Sequence, residues 1–134
     1  KPVLGLCMGL QLMLVEYARN ALGFEKANST EIEPDTKCPI ITKLPELRVG
    51  IYPVEQKMES HWHNFAFNNA YKRYFEKDWQ MIYTGDILER AGLFTNVHHV
   101  GIQYHFEYQS FIQKPHPVGV EFLKVCKEFT KKYA

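Results

Sequence analysis

Three residue types in this sequence can do chemistry together: a cysteine at position 7, a histidine at 105 and a glutamate at 107. Cys7 is the centre of Gly5-Leu6-Cys7-Met8-Gly9. A nucleophile on a sharp strand-to-helix turn needs small residues two positions away on either side, where side chains collide as the chain reverses. At the start of a helix the macrodipole favours thiolate over thiol, and the thiolate is the attacking species. The Met8 backbone N–H then points toward an oxyanion formed on a substrate carbonyl. The bland alternative is a buried structural cysteine, a common fate of free thiols. His105-Phe106-Glu107 supplies the remaining parts. Residues two apart in an extended segment point the same way, so Glu107 can hold the His105 ring while His105 passes a proton.

These residues need elements to carry them. Residues 2–6 read as a short buried strand. Leu10, Met13, Leu14, Tyr17, Ala18 and Leu22 then recur at helical spacing, with Gly23 as a stop. Residues 25–45 are polar and hold three prolines, and read as a long connecting loop. Strands are expected at 49–54, 57–67, 79–84 and 97–104, with a short helix at 71–77. Gly85-Asp86 reads as a turn. The last segment sets Val118, Phe122, Val125, Cys126, Phe129 and Tyr133 on one helical face. The mixture predicts one α/β domain over residues 1–134 with a partly antiparallel insert.

Composition narrows the function. The chain has 134 residues, 46% hydrophobic, with 16 basic and 15 acidic side chains, for a formal charge of +1. That balance gives no footprint for nucleic acid or an anionic membrane, and no apolar run approaches the ~20 residues of a bilayer span. Three cysteines, Cys7, Cys38 and Cys126, fit neither a disulfide framework nor a zinc knuckle, so a reducing cytoplasmic compartment is expected. His61-x-His63, His98-His99 and His105 could recruit a metal, but no third or fourth ligand follows at a required spacing, and no metal is expected.

Longer stretches carry a family resemblance. Gly5-Leu6-Cys7-Met8-Gly9-Leu10-Gln11 resembles the nucleophile motif of class-I glutamine amidotransferases, and Gly101-Ile102-Gln103-Tyr104-His105-Phe106-Glu107-Tyr108 resembles their histidine–glutamate motif. Glu16-Tyr17-Ala18-Arg19-Asn20, Ala27-Asn28-Ser29-Thr30-Glu31, Arg48-Val49-Gly50-Ile51-Tyr52-Pro53 and Lys114-Pro115-His116-Pro117 resemble the CTP synthase branch. The resemblance implies a flavodoxin-like three-layer α/β fold, present in part. It implies a Cys7–His105–Glu107 triad that hydrolyses glutamine to glutamate and ammonia. Met8, Gly9, Leu10, Gln11, Glu31 and position 64 are implied to bind the glutamine. The glutaminase part is implied to need no cofactor, ATP and magnesium serving only a synthase domain or subunit that uses the ammonia to aminate UTP. A homo-oligomer is implied for the full protein.

The match departs in four places. Neither the synthase domain nor the amidotransferase segment carrying a glycine-rich oxyanion loop has a counterpart in these residues, and removing one oxyanion donor typically costs ~10²–10³ in rate. Asn64 stands where an arginine is expected to bind the glutamine carboxylate, and an amide lacks the charged bidentate fork of a guanidinium. Phe106 stands where proline is usual. The competing expectation is therefore a weakened amidotransferase-like binding or regulatory module.

Overall fold

The computed structural model describes residues 1–96 and 98–133. Two sheets share the core. The first has the order β1 (Val3–Leu6), β7 (His99–Ile102), β6 (Ile87–Leu93) and β5 (Trp79–Thr84). β1 and β7 are parallel, and the other pairs are antiparallel. The second joins β2 (Ala27–Ser29), β3 (Cys38–Val54) and β4 (Lys57–Phe67), with β2 parallel to β3 and β3 antiparallel to β4. Helix α1 (Met8–Asn20) follows β1, α2 (Lys72–Phe75) precedes β5, and α3 (Pro117–Tyr133) ends the described chain. No helix among the described residues is long and apolar enough to cross a membrane.

The first sheet places α1 and α3 on opposite faces. Gly5 and Gly101 are register partners, and both present their open side to α1. A Cβ on Gly101 would come within 2.5 Å of Leu10 Cδ1 and 3.0 Å of its Cα, so glycine is what lets α1 lie this close to β7. Leu4 and Val100, one residue along, face the other way because side chains alternate on a strand. There they line a cavity of about 690 Å³ together with Val118, Phe122 and Val125 of α3. The arrangement is helix, mixed sheet, helix. The apolar core gathers Leu10, Leu14 and Ala18 of α1 with Ile40, Ile41, Phe67, Phe75, Trp79 and Leu88.

Two sequence expectations need correction. Residues 25–45 are not one loop, since β2 and the first half of β3 lie within them. Ile40 and Ile41 are fully buried and anchor this stretch in the core. Of its three prolines, Pro39 lies within β3 opposite Asn28. Pro34 precedes β3, and Pro45 falls in the interval between Lys43 and Arg48 where the β3–β4 register breaks. The second correction is β6, which has no counterpart among the expected strands. It forms a hairpin with β5 across Gly85-Asp86, Gly85 taking φ +56°. Its burial pattern is hidden because a fully buried position carries a charge-bearing side chain, Glu89. The expected strand at 97–104 is observed as His99–Ile102, and Val97 lies outside the described residues. The short helix expected at 71–77 is divided between a 3₁₀ turn at Asn69–Tyr71 and α2. α1 stops at Asn20, ahead of Gly23, which takes φ +77°.

Candidate active site

Cys7 sits between β1 and α1 with φ 51° and ψ −106°. This is outside the regions that L-residues adopt freely and costs on the order of 1–3 kcal/mol, held by the elements on either side. Its N–H is anchored to the Ile102 carbonyl at 2.8 Å, which ties the turn to the end of β7. The two flanking glycines differ in what they do. A Cβ on Gly5 would meet the Gly9 carbonyl carbon at 2.6 Å and oxygen at 2.8 Å, both backbone atoms that cannot turn aside. A Cβ on Gly9 would meet nothing within 4 Å among the described residues. The spacing rule therefore bears on Gly5 as a site of close approach, and Gly9 matters as the backbone being approached.

The Cys7 thiol is partly enclosed. Gln103 Nε2 donates toward Sγ at 3.4 Å, and Sγ lies 3.6 Å from the Trp62 carbonyl of β4. Burial pushes the thiol pKa up, outweighing the Met8 N–H and the Gln103 amide, which favour the thiolate; Glu107 and Glu31 add to the rise by their charge. The expected net lowering by the helix N-terminus is thus corrected. Removing Cys7 from water costs the anion more than two hydrogen bonds return, so packing favours the thiol over the thiolate.

His105 and Glu107 are the candidate base and orienter, and they meet. His105 Nδ1 and Glu107 Oε1 are 2.6 Å apart. The contact is made through a 3₁₀ turn at Phe106–Gln109 capped by His105, and not through an extended segment. His105 also stacks on Tyr108, with ring centroids 4.8 Å apart and planes 11° from parallel. Its N–H bonds to the Ser60 carbonyl at 2.8 Å, so β4 fixes the loop that carries it. With Nδ1 engaged by Glu107, Nε2 is the nitrogen left to exchange a proton.

The remaining candidates occupy different places. Gln11 is buried and its amide N–H groups are committed, Nε2 lying 2.9 Å from the Phe65 carbonyl and 3.2 Å from Gln103 Oε1. Leu10 is buried against β7, so its side chain belongs to the core. Glu31 is exposed, its N–H accepted by Ser29 Oγ at 3.2 Å, and it is near enough to act electrostatically on Cys7. Asn64 is half-buried on β4, two residues beyond Trp62. Gln103 is the residue that motif reading undervalued. It is 1% exposed, and a polar side chain so deeply buried two positions before His105 is the signal that could have identified it.

His61 and His63 face each other as a hydrogen-bonded pair, Nδ1 to Nε2 at 3.3 Å, and not as an open pair of metal ligands. Burial first, then the charge of Arg48, lowers His61 to about 3. Burial likewise lowers His63 to about 4, against the Phe65 carbonyl, which pulls it up. Both folded values lie below that of a free imidazole, so the stability they support is fully present above about pH 6.5. It is lost as the pH falls through 4 and 3. In a histidine-selective NMR titration the ring resonances of His61 and His63 should stay fixed as the pH drops well below 6.5. Movement of both near the free-imidazole midpoint would contradict this burial.

Known proteins share the sequence pattern and the fold of this chain. The family model for class-I glutamine amidotransferases matches residues 1–125. The CTP synthase of Aquifex aeolicus is 34% identical over 161 aligned residues, covering 98% of this chain and 30% of that protein. The CTP synthase of Coprothermobacter proteolyticus is 37% identical over 151, covering 91% and 28%. The chain thus spans under a third of these relatives. Among solved structures, the Trypanosoma brucei CTP synthase glutaminase domain with bound acivicin aligns with a TM-score of 0.85 at 20% identity, covering 95% of this chain and 60% of that one. The chain belongs to the class-I glutamine amidotransferase family, as a domain of the CTP synthase type.

Proposed function

We propose that this domain hydrolyses the side-chain amide of glutamine through Cys7, His105 and Glu107. The observation that carries the reading is the strained Cys7 turn, held against the strand whose end delivers a His105–Glu107 pair bonded at 2.6 Å. His105 takes the thiol proton as Cys7 Sγ attacks the carboxamide carbon, and the C–N bond breaks as that proton passes to the departing ammonia. Water, deprotonated by His105, then cleaves the thioester to give glutamate and restore the thiol. The Met8 N–H faces the developing oxyanion, and Gln103 holds the sulfur. Gly9, Leu10 and Gln11 complete the elbow, and Glu31 offers a carboxylate for the substrate's α-ammonium.

In the full protein we assign the ammonia to amination of UTP to CTP by a synthase domain or subunit, which holds the ATP and magnesium. A cytoplasmic homo-oligomer, without nucleic-acid or membrane partners, completes the reading. Release of ammonia from glutamine, with selective labelling of Cys7 over Cys38 and Cys126 by a glutamine-analogue diazoketone, tests it. Equal labelling of the three thiols with no ammonia released would favour the non-catalytic binding module.

Asn64 favours weak glutamine binding. Asn64→Arg is expected to lower KM for glutamine by ~10-fold or more, the scale of one charged hydrogen bond, with little change in kcat. An unchanged KM in steady-state assays would mean that position 64 does not reach the substrate carboxylate.

A further inference from the structure

Beneath the β3–β4 hairpin, one run of buried side chains has a proton count that closes from geometry. The Phe65 carbonyl lies 3.0 Å from His63 Nδ1 and 2.9 Å from Gln11 Nε2. A carbonyl only accepts, so His63 carries its proton on Nδ1. In the neutral ring, Nε2 is then a lone pair. His61 Nδ1, 3.3 Å away, must donate to it. That leaves a lone pair on His61 Nε2 facing Glu89 Oε2 at 3.5 Å. Both atoms are buried, and neither has a hydrogen-bond partner among the described residues. An ionised carboxylate oxygen and an imidazole lone pair repel when they face each other away from water, and one proton between them removes the conflict.

We propose that Glu89 is held as a neutral carboxylic acid whose Oε2–H donates to His61 Nε2, and that the one-way chain Glu89–His61–His63–Phe65 positions the Cys7 thiol through Gln11 and Gln103. Each element around Glu89 bears on this. Arg48 of β3 donates to Oε1, leaving Oε2 for the proton. Thr84 at the end of β5 also favours the anion. Glu59 of β4 opposes it by its charge, and Tyr104, beyond β7, is near enough to feel the Glu89 charge. Arg48 and burial disagree. Arg48 pulls the carboxyl down and burial pushes it up, and burial is the stronger effect for a side chain that is fully enclosed. The link to the site is direct. Gln11 donates to Gln103 Oε1 at 3.2 Å, Gln103 Nε2 donates to Cys7 Sγ at 3.4 Å, and the Gln103 N–H is held by the Glu89 carbonyl at 2.8 Å. Glu89, His61 and His63 are therefore positioning residues.

Only the last link, from Gln103 to a reactive Cys7, rests on the glutaminase reading. The test has two arms. In the first, infrared spectra of the wild-type protein and Glu89→Gln are subtracted at neutral pH. A protonated-carboxyl stretch that shifts in D₂O and is missing from the variant is expected; its absence from folded wild type overturns the neutral acid. In the second, the pH profile of Cys7 alkylation by iodoacetamide is followed, Cys38 and Cys126 being counted separately by mass. Glu89→Gln offers the same donor and acceptor and should leave the profile in place, whereas His61→Leu should change the rate or displace the midpoint by ~10-fold, the scale of one lost hydrogen bond. If Glu89→Gln displaces the profile as far as His61→Leu does, Glu89 works as a carboxylate and the proposal fails. If His61→Leu, shown folded by circular dichroism, leaves the profile unmoved, the positioning role fails. Wild type that shows the band and the His61 effect yet releases no ammonia from glutamine refutes the glutaminase reading and leaves this one standing.

Discussion

Replacing Cys7 with alanine is expected to lower glutamine hydrolysis by at least ~10⁴-fold while leaving KM within a few-fold, because the nucleophile is removed and the rest of the site is not. Neither other thiol can substitute. Cys38 is paired with Ala27 in the second sheet, and Cys126 lies on α3, the layer opposite α1. A second variant separates chemistry from strain. At φ 51° and ψ −106° a Cβ is disfavoured whatever the side chain. Cys7→Gly should therefore be about 1 kcal/mol more stable than Cys7→Ala, though equally inactive. Thermal denaturation of the pair reads the difference. Equal melting temperatures would mean that the turn carries no strain, and retained hydrolysis in Cys7→Ala would remove Cys7 from the mechanism.

Gly5→Ala is expected to have the second largest effect, on folding and on rate together. The added methyl meets Met13 Sδ at 2.5 Å, which a flexible side chain can relieve. It also meets the Gly9 carbonyl at 2.6 and 2.8 Å, which only a shift of α1 can relieve. Overpacking against backbone costs about 1–3 kcal/mol. The shift moves Cys7 and the Met8 N–H relative to His105, and a displacement near 1 Å costs about 10² in rate. Gly9→Ala is the control, since its methyl enters open space among the described residues. Urea denaturation and ammonia release should separate the two variants; similar losses in both would contradict the asymmetry of the turn.

The same elbow shows how far residue order alone reaches. The strand 2–6, the helix after it and the pairing of His105 with Glu107 are local properties, legible because apolar spacing and motif spacing act within a few residues. The hairpin partner β6 was obscured because Glu89 breaks the alternation that a buried strand normally shows. The strands within 25–45 were obscured because Ile40 and Ile41 are two apolar residues among polar ones, and only burial beneath α1 reveals their weight.

The sequence by itself determined the family and the α/β class and singled out Cys7, His105 and Glu107 as the candidate nucleophile, base and orienter, because each of these is written in short contiguous runs. Tertiary structure decided the rest. Gln103 reaches Cys7 from 96 residues away, and Glu89 lies 41 residues from the Arg48 it pairs with. The protonation of Cys7 also depends on packing, since burial overrides the helix N-terminus that the sequence points to. Desolvation and long-range hydrogen bonds depend on which surfaces meet, and no local spacing encodes that.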